Sequence, residues 1–440
     1  MENDLTNSNT RKIKKGAKAA GFFKRNAALL VCLVLVTTFY LIMYKKTGGG
    51  DRLMSHTGFD SYSLQTVQWL EGRNYLKDGQ NYPWLELAIF EEKYYISFPP
   101  LPSAMLLPWV LIFGEKTPSG LIMTIYSVLT FLFLWLMCRR MKLPELMCAV
   151  GALFALFGSS MLFVSMSGGV WFQAQIVAMM FTALAFFHVA GDSEYDKIAS
   201  LFTLALAVGA RPFNAIYYPI LVYMILKKTL KEYGLRPKTV LRLCSYCILP
   251  CVVAASYMSY NYSRFGKILE FGHNYLPEFT RQEANQYGQF SFNYVSRNLK
   301  DMFTSFPTVT EKGISYGQFG FAIFVANPLF VVLAVAVCVS LVKSLLKLAE
   351  TDLSKRQDEK GVEIAILFMT ILLHIFLFAM HKTLGAYQFG SRYTADAMVG
   401  TLFCICLCNN VFKKSNVPVF AILSFAMALN IMGAVQMSPI

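Results

Sequence analysis

Charge is scarce in this chain. Of its 440 residues only 15% are Asp, Glu, Lys or Arg, against 55% hydrophobic. A soluble domain could not cover its surface with so little charge, so the composition calls for a polytopic membrane protein. A cysteine framework is missing too. The ten cysteines lie within or at the ends of apolar segments, and the sets Cys244, Cys247, Cys251 and Cys404, Cys406, Cys408 have no nearby His or carboxylate. They read as small apolar helix residues, not as disulfides or metal ligands. No internal repeat is visible, and the only low-complexity piece is Gly48-Gly49-Gly50, a flexible exit from the first span. No cleavable signal peptide is expected either. The first 25 residues carry Arg11, Lys12, Lys14, Lys15, Lys18, Lys24 and Arg25, and the apolar run Ala27 to Tyr44 behind them is long enough to span.

What the chain does have is apolar length, in twelve pieces: about 27–44, 98–114, 119–137, 143–161, 172–190, 198–210, 213–226, 243–260, 318–342, 362–380, 397–412 and 417–436. If all twelve crossed, the basic loop Cys138 to Lys142 and the stretch Lys227 to Arg242 would both lie outside, against the positive-inside rule. One piece must fail to cross. The run "YYISFPPLPSAMLLPWVLIFG" at 94–114 carries Pro99, Pro100, Pro102 and Pro108. From Phe98 to Phe113 it would rise only about 24 Å against a core of about 30 Å, and its prolines remove donors that lipid cannot replace. It is expected to be a re-entrant or interfacial, proline-bounded helix in the first outer loop.

The plan that follows is an all-α integral membrane fold with about eleven transmembrane helices. Residues 1–26 form a cytoplasmic basic tail and 27–440 one polytopic domain, with outer segments 45–118, 262–317 and 381–396. Inner loops such as "KLAETDLSKRQDEK" at 347–360 are solvated. The net charge of +14 then serves orientation and anionic lipid headgroups, and nucleic acid is not an expected partner.

The polar residues concentrate outside. Asp60 stands just before an amphipathic pattern (Tyr62, Leu64, Val67, Leu70) that ends at Gly72, so it is a helix cap, a functional carboxylate, or both. Trp69, Trp84, Trp109 and Trp171 fall on the outer side, as an interfacial belt or a sugar-stacking platform. Arg211-Pro212 interrupts "AVGARPFNAIYYP" between two apolar arms of 13 and 14 residues. Each arm rises only about 20 Å, which puts Arg211 below the outer surface, where a guanidinium needs a partner. His56, His273 and His381 are external but scattered.

At this point the sequence resembles a known group. An Asp soon after the first span, a short helix ending near Gly, and "FPPLP" leading into an apolar helix look like the first outer loop of GT-C superfamily membrane glycosyltransferases. These include protein O-mannosyltransferases and aminoarabinose transferases. "YNYSRFGKILEFGHNY" at 260–275 and "FGSRYTADAM" at 389–398 fit related bacterial members. The resemblance implies a helical bundle in a bacterial cytoplasmic membrane with its active site on the outer face. It also implies a sugar donor on a polyprenyl phosphate, and a glycan, lipid or protein acceptor. Asp60 then takes the role of catalytic base.

The sequence departs from the group in three ways. Ser61 follows Asp60 where many relatives have acids, Phe98 precedes Pro99 where many have Lys, and the second outer loop "VSMSGGVWFQAQ" lacks the acids of metal-dependent members. No divalent metal or other cofactor is therefore expected. Chemistry asks the same of the site: interfacial cations for the leaving phosphate, and an outward-facing carboxylate for the acceptor proton. Candidate cations are Arg211, Arg392, Lys93 and Arg264. Candidate sugar or acceptor contacts are Trp69, Tyr95, Gln173 and Tyr393, with Gln175 beside them. Asp51 is the second choice of carboxylate. The alternative reading is a lipid or polysaccharide transporter, which would favour pseudo-symmetric halves with broken helices.

Overall fold

The structure, a computed structural model, describes residues 2–47, 52–277, 286–311, 313–317, 319–348, 360–408 and 417–437. Gly48 to Gly50, Asp51 and most of the 347–360 loop fall outside them. The chain is mostly helical. Among the described residues seven helical stretches are long and apolar enough to cross a membrane: Arg25–Lys46, Ser119–Arg140, Val170–Val189, Pro237–Phe265, Leu329–Leu346, Gly361–Ala379 and Val417–Gln436. The protein is an integral, multi-pass membrane protein.

The sequence reading asked for eleven crossings. The other four segments form shorter helices: α5 (Glu145–Leu156), α8 (Glu194–Val208), α9 (Tyr218–Tyr233) and the Met398–Cys408 helix. Irregular backbone follows α5 at Phe157 and α8 at Gly209 and precedes α9 at Pro212–Tyr217, and apart from α9, which exposes Val222 and Leu226, the four pack mainly against protein.

Two helices form the centre. In α4 (Ser119–Arg140) and α7 (Val170–Val189), 61% and 78% of the apolar stretch is buried, against 17% for Pro237–Phe265 and 22% for Leu329–Leu346, which face outward. In α4 the hydroxyls of Thr124, Ser127 and Thr130 each donate to the carbonyl four residues back, at 2.9, 2.7 and 2.7 Å. Polar side chains are thereby satisfied without water, which lets small residues line a tight helix interface.

The first helix, α1 (Glu2–Lys46), is continuous over 45 residues, so the tail boundary at residue 26 is not a structural break. Beyond it the chain returns to where it left. Gly120, in the first turn of α4, has its Cα so close to the Arg52 and Leu53 carbonyls that a Cβ would collide with them. The exit of α1 and the start of α4 therefore share one end of the bundle. Between them lie α2 (Ser61–Leu70), a hairpin, and α3 (Leu101–Phe113), which packs along α2.

The hairpin corrects the all-α expectation. Strands β1 (Leu87–Phe90) and β2 (Lys93–Ile96) pair antiparallel with Leu87 opposite Ile96, around a two-residue turn. Glu91 and Glu92 both hold positive φ, 48° and 60°, as a type I′ turn requires. A second short pair, Thr308–Thr310 with Gly313–Ser315, lies in the second outer segment.

Helix α8 begins earlier than its apolar run because Ser193 and Asp196 form a capping box. Its 15 residues rise about 22 Å to a tight crossing at Gly209, where the Tyr257 ring leaves no room for a Cβ. After Arg211 the chain winds as a 3-10 helix over Pro212–Tyr217 and then as α9. Helices α10 (Pro237–Tyr246) and α11 (Ile248–Phe265) then run on almost without break to the second outer segment.

Candidate active site

The three segments expected outside meet. Phe98 of the first sets its ring 6.1 Å from His273 of the second. Phe290 of the second pairs backbone with His381 of the third, their rings 5.0 Å apart. Around the junction Phe59, Tyr62, Phe98, Trp171 and Phe172 form an aromatic wall of mostly edge-on or tilted contacts.

One side of this junction is cationic. Arg392 is 5% exposed, with its guanidinium between the rings of Phe172 and Tyr393 at 5.0 and 5.2 Å. Its Nε has no hydrogen-bond partner, and among the described residues no acid pairs with it. Arg211 is near the same residue, 5.3 Å from the Tyr393 ring. Burying a guanidinium without a counter-charge is costly, so Arg392 calls for an anionic partner.

Arg211 differs from Arg392 in having a partner. Its Nε and Nη2 donate to Asp396 Oδ2 at 3.0 and 2.7 Å, and the Asp396 side chain is only 2% exposed. The partner that Arg211 needs at this depth is an acid of the chain itself, and an ion pair holds it. Asp396 itself was missed in the sequence. Its other oxygen accepts from Gln175 Nε2 at 3.0 Å, and the same amide nitrogen donates to the Arg392 carbonyl at 2.9 Å. Gln175 Oε1, Gln173 Oε1, Tyr62 Oη and Ser391 Oγ are buried without partners.

Asp60 lies on the other side. It caps α2, accepting from Ser63 N at 3.1 Å and Ser63 Oγ at 2.6 Å, with Ser119 Oγ at 3.4 Å and His56 Nδ1 at 3.9 Å. The expectation of an outward-facing carboxylate is corrected, because capping turns Asp60 inward to 1% exposure. Burial pushes its carboxyl above the usual Asp range, while the Ser63 hydroxyl, His56 and the Gln173 amide pull it back. His56 and Ser119, with Arg52, Tyr44 and Gly168, line a polar cavity of about 280 Å³. Tyr62 links the two sides, since its hydroxyl feels the charges of both Arg211 and Asp60.

The remaining candidates divide. Gln173 belongs to this ground, its Nε2 donating to the Gly168 carbonyl at 2.8 Å. Tyr393 stacks on Phe378 and is near both arginines. Arg264 is buried elsewhere: it donates to the Ile96 carbonyl at 2.7 Å and to Asn261 at 2.9 Å, fastening the hairpin to α11. Tyr95 packs at a tilt against Phe265 beside it, and Trp69 edge-on to Tyr260. Lys93 is exposed at the hairpin, near the Tyr75 ring. None of these four touches Arg211 or Arg392 among the described residues. No three His, Cys, Asp or Glu side chains gather as metal ligands among those residues either.

No protein-family model and no curated protein sequence matches this chain. Solved structures do. The likeness is one of fold. The match that carries this is ArnT from Cupriavidus metallidurans in the apo state, with a TM-score of 0.50 at 12% identity, over 90% of this chain and 61% of that one. ArnT bound to undecaprenyl phosphate matches at 0.46 and 12% identity, over 89% and 61%. The Archaeoglobus fulgidus oligosaccharyltransferase AglB, in complex with an inhibitory peptide and a dolichol-phosphate, matches at 0.47 and 12% identity, over 94% and 56%. The chain thus spans about three fifths of the ArnT chain.

Proposed function

We propose that this protein is a glycosyltransferase that moves a sugar from a polyprenyl-phosphate donor to a hydroxyl of a glycan, lipid or protein on the outer face of a bacterial cytoplasmic membrane. The observation that carries the reading is Arg392: a buried, unpaired guanidinium at the meeting point of the three outer segments, with a buried carboxylate across from it. The donor's phosphate sits between Arg392 and Arg211, and its sugar against Tyr62, Gln173 and Gln175, whose unpartnered polar atoms suit sugar hydroxyls. The acceptor approaches through the cavity bounded by His56 and Ser119.

In the transfer the acceptor oxygen attacks the anomeric carbon and Asp60 takes the acceptor proton. The bond from that carbon to the phosphate oxygen breaks, and the electron pair leaves with the phosphate. Arg392 and Arg211 stabilise the charge that develops there, a task this reading gives to guanidinium groups and not to a divalent ion. Eleven crossings follow if α5, α8, α9 and the Met398–Cys408 helix cross and α3 does not. Arg211 then lies about 25 Å above the inner charged ring of Asp192 and Lys228, which are 3.0 Å apart. That depth suits a phosphate whose lipid tail lies in the bilayer. The test is incubation of purified protein with radiolabelled polyprenyl-phosphate sugars and lipid, glycan and peptide acceptors. Transfer from at least one donor is expected, and transport of the intact lipid without transfer would replace this reading by a flippase.

A further inference from the structure

Asp396 removes one of two positive charges from the proposed phosphate site. Resting on the reading above, we propose that Asp396 is a positioning residue that matches the site to the singly charged phosphodiester of the donor. The doubly charged monoester left by transfer is then not trapped.

The charge count comes from geometry. Arg211 and Arg392 lie near Tyr393, at 5.3 and 5.2 Å. Asp396 binds Arg211 through two nitrogens and leaves Arg392 unpaired, so the pair of cations carries one net charge. Glu270 and Lys382, which act on His273 and His381, carry opposite charges, and the Asp60 carboxylate lies across the junction beyond Tyr62. Burial holds His273 down at about 4 and lowers His381 as well, so both are neutral. Tyr217 and His374 pack beneath, and Tyr62 lies toward Asp60. A sugar–phosphate–lipid diester has one negative charge. Breaking its sugar–oxygen bond leaves a monoester with a second ionisation near 6, hence close to two charges at neutral pH. A site with two free guanidinium groups would hold that product more tightly than the substrate. A site with one gives the product less excess affinity to overcome on release.

The experiment compares two lipids at pH 7.5 by competition binding to the full chain in detergent: the sugar-linked diester and plain polyprenyl phosphate. The parent is expected to bind them within about threefold of each other. Asp396→Asn keeps an oxygen for Arg211 but frees its charge. It should shift the ratio toward the monoester by at least about tenfold, as one unit charge gains from another within roughly 10 Å at an effective dielectric of about 20. The double variant Arg211→Gln with Asp396→Asn restores one net charge and should bring the ratio back toward the parent's, which a purely structural Asp396 would not do.

An unchanged ratio in Asp396→Asn, or a double variant that stays with it, overturns the inference. A parent that binds neither lipid overturns the site reading beneath it. Should Asp396→Asn not fold, polyprenyl diphosphate tests the parent alone: binding within about threefold of the monophosphate supports a single net charge, and binding more than about tenfold tighter overturns it.

Discussion

Arg211 and Arg392 face the same ring, yet their truncation should have very unequal effects on stability. Arg211→Ala leaves Asp396, 2% exposed, with no counter-charge. Breaking a buried pair from one side costs about 3–5 kcal/mol, because the remaining charge keeps its desolvation penalty. Arg392→Ala strands no acid. It loses two ring contacts, at 5.0 and 5.2 Å, worth about 1–2 kcal/mol together, and it removes an unsatisfied buried Nε, which offsets part of that. Both variants should bind polyprenyl phosphate at least tenfold more weakly, as expected for a lost charge-assisted contact of about 1.5–3 kcal/mol. The assay pairs thermal unfolding in detergent with lipid binding below the unfolding range. Arg211→Ala should melt well below the parent and Arg392→Ala close to it, and adding Asp396→Ala to Arg211→Ala should recover much of the loss. Equal destabilisation by the two single variants, or parent-like lipid binding by Arg392→Ala, would refute the assignment of an anion site between them.

Three further outcomes are expected. Asp60→Asn keeps the α2 cap, since Asn caps as well as Asp, but should lower transfer about a hundredfold or more, because an amide cannot take the acceptor proton; near-normal turnover removes Asp60 from the chemistry. Because burial raises its carboxyl, activity should be present above that raised value and be lost as pH falls through it, above the usual Asp range. Ser63→Ala, which deletes a hydrogen bond to the ionised form, should move the acid limb of kcat/KM higher still, and a limb that stays or falls contradicts the assignment. For topology, Cys at Glu92 and at Lys116 should both react with an impermeant maleimide from outside, and a Lys116 position reached only from the cytoplasm would mean that α3 crosses.

Much of the plan could be read directly because membrane burial writes itself in long apolar runs. The Asp60 cap, the break at Arg211-Pro212 and Arg392 at the start of its apolar segment were all visible there. Asp396 was not. In "FGSRYTADAM" it follows Arg392 by four residues, the spacing of a helical ion pair, but that helix stops at Ala395 and a new one begins at Met398. Asp396 turns to Arg211 instead, 185 residues away in sequence. A signal was present, since an Arg placed at depth requires an acid, and few acids lie at the ends of apolar segments. Glu363, which pairs with Lys227 at 2.7 Å, is another of that kind. The hairpin was hidden for a different reason. Its turn uses Glu91 and Glu92 where Asn or Gly would have announced the positive φ.

The uneven burial of the spans bears on how such a protein changes over time. In Pro237–Phe265 and Leu329–Leu346 about four fifths of the apolar stretch lies outside the buried interior, where lipid asks only for apolarity. Leu, Ile, Val and Phe can replace one another there at little cost, so those positions store almost no information about the architecture. The information sits in close approaches such as Gly120 and Gly209, in the self-satisfied hydroxyls of α4, and in a few charges at the outer junction. A fold specified by so small a fraction of its letters tolerates wide change in the rest, and the likeness of fold to ArnT stands at 12% identity. Mutational scanning should find the same division, with wide apolar tolerance on α11 and narrow tolerance on α4 and α7.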